Sequence, residues 1–204
     1  MHTNTLTLDC ICHDDFELSN LSCEFSFGCL YILSNNKQNN ALLKIISSLD
    51  IQKSGRLMLN EYDVSINRDF YRKYISYYSS DTDMNHCMSI KTYLKYISRI
   101  NGHKLYDIAI RYFDLGGISN QKINKLNRSE KTRLLLASIL CKDANIIAMV
   151  NPYKNLDIKY QKKVSDLISS RIENDGIVFA IADDINELQN ILLKESIKYQ
   201  YFEL

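Results

Sequence analysis

Several features that often assign a chain quickly are missing here. The 204 residues include one proline and six glycines, and the net charge is +1. That balance offers no bulk electrostatic reason to expect a nucleic-acid or anionic-membrane surface. No run approaches the ~18 apolar residues of a membrane span, and no basic-then-apolar leader opens the sequence. A cytoplasmic chain is expected. The six cysteines (Cys10, Cys12, Cys23, Cys29, Cys87 and Cys141) come without an export signal, so they are expected reduced, several packing as small hydrophobes inside apolar runs. Cys10-Ile11-Cys12-His13 puts two thiols on one strand face. No second Cys/His pair at zinc-finger spacing follows, and His86-Cys87 is the only other adjacent pair, so no metal site is expected. Internal repeats and low-complexity tracts are absent. What remains, 46% hydrophobic and 24% charged, suits a soluble α/β protein of one sizeable domain or two very small ones.

The most telling absence lies within Leu30–Leu49. A short apolar run (Leu30, Tyr31, Ile32, Leu33) leads into a polar loop, Ser34 to Asn40, and then an amphipathic segment, Ala41 to Leu49. Strand, loop and helix in that order form the layout of a phosphate-cradling loop, yet the loop has no glycine and no lysine precedes the helix.

Around this stretch the periodicity predicts a coarse map. Thr5 to Cys12 alternates Leu6, Leu8, Cys10 and Cys12 on one strand face, and a second strand runs through Leu18 to Phe27. Gly28 turns the chain into Cys29–Leu33. Gly55 marks a tight turn, Arg56 to Leu59 a strand, and Asn60-Glu61 a hairpin tip. Tyr74 to Tyr77 reads as a core strand in an aromatic-rich segment, and Ser79 to Asn85 as the most polar loop and a subdomain boundary. Helices are expected over Ile90–Ile100, Leu105–Leu115 ending at Gly116-Gly117, Ser129–Leu140, Ile158–Ile172 and Ile185–Leu193. Ile146–Val150 and Ile177–Ile181 suit buried parallel strands. Without a basic stripe, the tyrosines read as core and interface residues rather than base-stacking ones, so no nucleic-acid partner is expected.

With these elements in order, the chain resembles the ATP-binding subunit of an ABC transporter over nearly its whole length. Within that superfamily it is most similar to the compact subunit of the cytochrome c maturation haem exporter. Tyr74-Ile75-Ser76-Tyr77 stands where that branch has Tyr-hydrophobic-Gly-His, and Met88-Ser89-Ile90 with Tyr93-Leu94 resembles the opening of its next helix. The family's phosphate-loop pattern, G-x-x-x-x-G-K-[ST]-T-L-L, is anchored on Leu42-Leu43. It lays the two glycines on Leu33 and Gln38, the lysine on Asn39, the magnesium-holding Ser/Thr on Asn40 and the threonine on Ala41. Asparagine tolerates positive φ better than any residue but glycine, so Asn35, Asn36, Asn39 and Asn40 are expected to preserve the bend. They supply no charge. A charged hydrogen bond is worth ~1.5–3 kcal/mol, so the lost lysine alone implies tens-fold weaker nucleotide binding. Lys37 is the one cation in the loop, either reaching inward or simply solvated.

The remaining family motifs tell the same story. The signature Leu-Ser-Gly-Gly-Gln falls on Leu126-Asn127-Arg128-Ser129-Glu130, without either glycine. The Walker B run falls on Ile146–Met149, with Val150 replacing the magnesium-orienting aspartate and Asn151 the glutamate that polarises water. Pro152 and the Leu156-Asp157 ending are retained, and Asp183 stands at the switch histidine. The resemblance therefore implies an α/β, P-loop NTPase-type ABC nucleotide-binding domain with an antiparallel β subdomain and a helical insertion. It spans 1–204, with a core of 1–75 and 140–204 and a helical subdomain of 80–138.

The implied site residues follow from the same alignment. Asn151 and Asp183 stand at degenerate catalytic positions. Asn35, Asn36, Lys37, Gln38, Asn39, Asn40 and Ala41 form a remnant phosphate loop, with Ser129 and Asp157 beside it. ATP and magnesium are the family's cofactors, weak or lost here. Implied partners are membrane-embedded transporter subunits and a homo- or heterodimer of cassettes, held peripherally on the inner membrane. The alternatives are a cassette that still hydrolyses ATP with unusual residues, a non-catalytic structural or regulatory subunit, and an unrelated α/β binding module.

Overall fold

A computed structural model describes residues 4–14, 18–82, 84 and 87–204. Five strands form a parallel sheet: β3 (Cys29–Ser34), β6 (Ile75–Ser79), β7 (Ile146–Val150), β8 (Ile177–Ala182) and β9 (Gln200–Phe202), in the order β6-β7-β8-β3-β9. The order places β8 between β3 and β7. All three share unbroken register, Leu30 opposite Val178 and Ile147 opposite Val178 in turn.

Strands β7 and β8 are buried at every position, which explains their continuous apolar sequence: both sheet faces are covered. Alternate residues separate into two cores. Leu30, Ile32, Ile147, Met149, Val178 and Ala180 join one core with α3 (Ile90–Ile100), α4 (Tyr106–Tyr112), α5 (Arg128–Lys142), α6 (Ile158–Glu173) and α7 (Ile185–Lys194). Tyr31, Leu33, Ala148, Phe179 and Ile181 face the other core with α1 (Lys37–Ile46). That second core is closed by an antiparallel sheet of β1 (Thr5–His13), β2 (Leu18–Ser26), β4 (Ser54–Leu59) and β5 (Tyr62–Asp63), in the order β2-β1-β4-β5. An aromatic seam joins the two sheets: Phe25 lies 4.8 Å from Phe179 and 5.0 Å from Phe202.

Local structure departs from sequence expectation where polar residues decide the backbone. Helix α1 begins at Lys37, not Ala41, because Asn36 caps it, and it gives way to Ser48 in the left-handed region (φ 56°). The strand expected over Tyr74–Tyr77 runs instead over Ile75–Ser79, and ahead of it Arg68–Tyr71 forms a short helix, α2, capped by Asn67. Helix α4 stops at Tyr112, ahead of Asp114 at φ 52°, so the Gly116-Gly117 pair lies beyond it in a 3-10 turn. Helix α5 starts at Arg128 with a reciprocal capping box between Asn127 and Glu130. Gly55 is not a turn. It sits inside β4 at φ 90°, packed so closely on the Cys10 carbonyl that a Cβ would collide with it. In β1 the buried set is Leu6, Leu8 and Ile11, while Cys10 is exposed. A bulge with Cys10 at φ 51° shifts the strand by one residue and moves both thiols off the core face. His86 and part of the Ser79–Asn85 loop fall outside the described residues.

Candidate functional site

Because β3, β6, β7 and β8 run parallel, the segments after each of them emerge at one end of the sheet. Such an end forms the crevice where ligands of open α/β sheets bind. The expected seven-residue loop after β3 is reduced to two residues, Asn35 and Asn36. The Asn36 N–H donates back to the Ser34 carbonyl at 3.1 Å, which tightens the turn. None of Asn35, Asn36, Asn39 or Asn40 has positive φ. The expectation of a glycine-like bend held by asparagines is therefore wrong. Asparagine is also a preferred helix N-cap, and at Asn36 that preference prevails, drawing Lys37–Asn40 into the first turn of α1.

The amides of this segment satisfy one another. Asn36 Oδ1 accepts the Asn39 N–H at 2.7 Å, and Asn40 Nδ2 donates to the Asn36 carbonyl at 2.7 Å. Asn39, at the family's lysine position, is fully buried. Its Nδ2 donates to the Ser34 carbonyl at 2.9 Å and to Ser34 Oγ at 3.0 Å, leaving Asn39 Oδ1 buried without a donor. Lys37 is exposed and, among the described residues, in no ion pair; Gln38 is half-buried and Ala41 buried.

The neighbouring segments close over this turn. Asn35 donates a short hydrogen bond to Asp183, directly after β8. Lys154 Nζ bridges Asp183 Oδ2 and Asp81 Oδ1, 3.3 Å from each. Asn151, buried at the end of β7 with φ 53°, accepts the Asp183 backbone N–H at 2.8 Å. The Asn151 side chain beside it, with help from Asn35 and Lys154, holds the Asp183 carboxyl below its ordinary range against the opposing effect of burial. Val150, where the family's metal-orienting carboxylate would be, is buried and apolar. Among the described residues no group of three or more His, Cys, Asp or Glu side chains is placed to hold a metal.

Asn35, Asn36, Asn39, Asn40, Asn151 and Asp183 thus meet in one hydrogen-bonded group. Asp157 does not join it: its carboxylate caps α6 by accepting the Tyr160 N–H at 3.1 Å. Ser129 lies in the first turn of α5, with no hydrogen bond to the group among the described residues. Sequence reading missed Lys154, Asp81 and Ser34. Lys154 stands three residues after Asn151 and was the only available signal; Asp81 comes from a loop whose position no periodicity fixes.

The architecture is that of an ABC transporter ATP-binding cassette. The chain superposes on a bacterial ABC transporter cassette solved as a dimer with a TM-score of 0.79, at 16% identity, covering 97% of this chain and 94% of that one. The ATP-binding subunit of another ABC transporter gives 0.78 at 14% identity over 87% and 79%. In sequence, the chain is similar to the cytochrome c biogenesis ATP-binding export protein CcmA. It is 27% identical to that of Reclinomonas americana over 185 residues, 85% of this chain and 82% of the relative. The Histophilus somni protein of the same name is 22% identical over 177 residues, 83% and 80% of the two chains. No family model matches the chain.

Proposed function

We propose that this chain is a non-hydrolysing ABC-type cassette subunit, homologous to the ATP-binding subunit of a haem exporter for cytochrome c biogenesis. One observation carries the reading. Where the family's lysine would meet phosphate, Asn39 is buried, neutral and presents an orphaned acceptor oxygen. Phosphate oxygens need donors and positive charge, and Asn39 supplies neither, its amide N–H groups being committed to the Ser34 carbonyl and Oγ. The Asn36 side chain already takes the Asn39 N–H in the first turn of α1, and Asp183 adds negative charge to the same end of the sheet. Val150 and Asn151 supply no carboxylate at the family's magnesium-orienting and water-polarising positions, and among the described residues no group of three or more His, Cys, Asp or Glu side chains is gathered to hold a metal. ATP with magnesium does not fit these residues.

What the subunit retains is a surface. Met88, Tyr96, Ile100 and Ile108 expose 45–59% of their area within the helical segment, in keeping with docking of residues 80–138 on membrane-embedded transporter subunits. The core of 1–75 and 140–204 then serves as a frame for that segment, as one half of a homo- or heterodimer on the cytoplasmic face of the inner membrane. Among the described residues no helix is long and apolar enough to cross a membrane.

Purified protein is expected to show no magnesium-dependent ATP hydrolysis above background and at best millimolar ATP affinity. Turnover that Lys37→Ala abolishes would establish a working ATPase instead. Co-purification with a multispanning membrane protein is expected to survive Asn39→Ala and to fail after charge insertion on the exposed apolar positions of 88–115. Indifference to both changes removes the transporter assignment.

A further inference from the structure

The Cys-x-Cys motif of β1 has no part in the nucleotide-type crevice, yet the backbone around it is the most irregular in the antiparallel sheet. Three residues in the left-handed region sit on three adjacent strands: Cys10 (φ 51°) on β1, Asn20 (φ 55°) on β2 and Gly55 (φ 90°) on β4. Register breaks between Leu8 and Ile11 and again between Ile11 and His13 against β2, and between Asp9 and Cys12 against β4. Bulges of this kind re-aim side chains. Here they leave Cys10 Sγ against β2 and Cys12 Sγ between β2 and β4, with the Cys12 S–H reaching the Cys10 carbonyl at 3.7 Å. The Asn20 N–H donates to Cys12 Sγ at 3.3 Å, and Ser22 Oγ, itself an acceptor for the Cys10 N–H at 2.9 Å, lies 3.8 Å from Cys10 Sγ. Cys10 is exposed and Cys12 half-exposed, and neither is in a disulfide.

We propose that Cys10 and Cys12 form a surface dithiol that exchanges with low-molecular-weight disulfides such as glutathione disulfide, Cys12 attacking first and Cys10 resolving. Donors converge on Cys12 Sγ in a way that favours its thiolate. Ser54 and the Asn20 N–H, with lesser help from Lys53, lower its pKa against the opposing effects of burial and Asp14. Cys23 and Cys141 are the reverse case, each pushed up to about 12 by burial, so they remain protonated.

The chemistry balances in two steps. The Cys12 thiolate attacks one sulfur of the disulfide, forming a protein mixed disulfide and releasing one thiolate of the reagent. The Cys10 thiolate then attacks Cys12 Sγ and expels the second, which takes up the proton Cys10 lost. Two protein thiols are oxidised and one disulfide is reduced to two thiols. Residues two apart on an extended strand have Cα atoms about 6.6 Å apart, within the range of about 4.4–6.8 Å that disulfides span.

The test treats the full chain with glutathione disulfide near neutral pH and maps each cysteine by peptide mass against time. Wild-type protein is expected to lose two hydrogens from the peptide carrying residues 10–12, several-fold faster than exposed Cys87 acquires glutathione. Cys10→Ser is expected to arrest as a stable glutathione adduct on Cys12. Cys12→Ser should slow modification of Cys10 to the rate of Cys87. Ser54→Ala, which leaves both thiols in place, should slow the Cys12 step several-fold. The proposal fails if Cys12 reacts no faster than Cys87 in the Cys10→Ser chain. It also fails if wild-type protein accumulates the adduct without closing the disulfide.

Discussion

The parallel and antiparallel sheets share one core yet obey different rules. In the parallel sheet, β7 and β8 are buried at every residue, and register with their neighbours continues without a break. In the antiparallel sheet one face is open to solvent, β2 exposing Asn20, Ser22, Glu24 and Ser26 in alternation, and register breaks repeatedly. A one-residue slip in a doubly covered strand would exchange the contents of two cores. In a half-exposed strand it moves one residue from core to solvent, and a local bulge can absorb it. Irregular chemistry therefore collects on the open sheet and at the strand ends, not in the buried frame.

The largest expected effect tests the seam between the sheets. Phe179→Ala removes the ring that packs 4.8 Å from Phe25 and 5.6 Å from Tyr31. It should cost about 3–5 kcal/mol by denaturant unfolding; a much smaller loss would show that the two sheets do not share their stability. Gly55→Ala probes the irregular side. Its left-handed φ and the Cys10 carbonyl both oppose a Cβ, so a loss of about 1–3 kcal/mol is expected. An unchanged midpoint would mean that the bulge relaxes freely.

At the crevice, Asn36→Ala removes the α1 cap and should cost about 1 kcal/mol of thermal stability, with no change in ATP affinity by calorimetry. A marked gain in affinity would show that the cap had been occupying a usable phosphate cradle. The smallest effect concerns the contact between α4 and α6. Lys159 and Lys163 lie 2.7 and 3.0 Å from Asp114 and hold its carboxyl at about 2, against an ordinary 3.8. Its contribution is present above about 3.8 and is lost as pH falls toward 2. Because the pair is partly solvated, the gain is below about 1 kcal/mol. Asp114→Asn should flatten that part of the acid-unfolding curve.

The frame was readable in the sequence wherever burial was complete. Ile146–Val150 and Ile177–Ile181 declare themselves as parallel strands, and Ile90–Ile100 is a helix from first residue to last. The site was readable only as a set of replaced residues. Asn35, Asn36, Asn39, Asn40, Asn151 and Asp183 do meet, but asparagine serves equally as a cap, a left-handed residue or a hydrogen-bonding partner. Asn36 caps, Asn39 braces Ser34 and Asn151 takes the left-handed conformation. Asp157, aligned with the site by spacing, instead caps α6.

Sequence by itself determined the order of the elements, the apolar faces of the parallel sheet and the absence of a lysine at Asn39, because burial patterns and residue identities are local properties. Tertiary structure alone decided that the turn after β3 would shrink to two residues, that Lys154 would tie Asp81 to Asp183, and that Cys10 and Cys12 would face outward. Each of those outcomes depends on which polar group lies nearest in space. For the Lys154 bridge the separations along the chain are 73 and 29 residues, and folding sets such distances where periodicity does not.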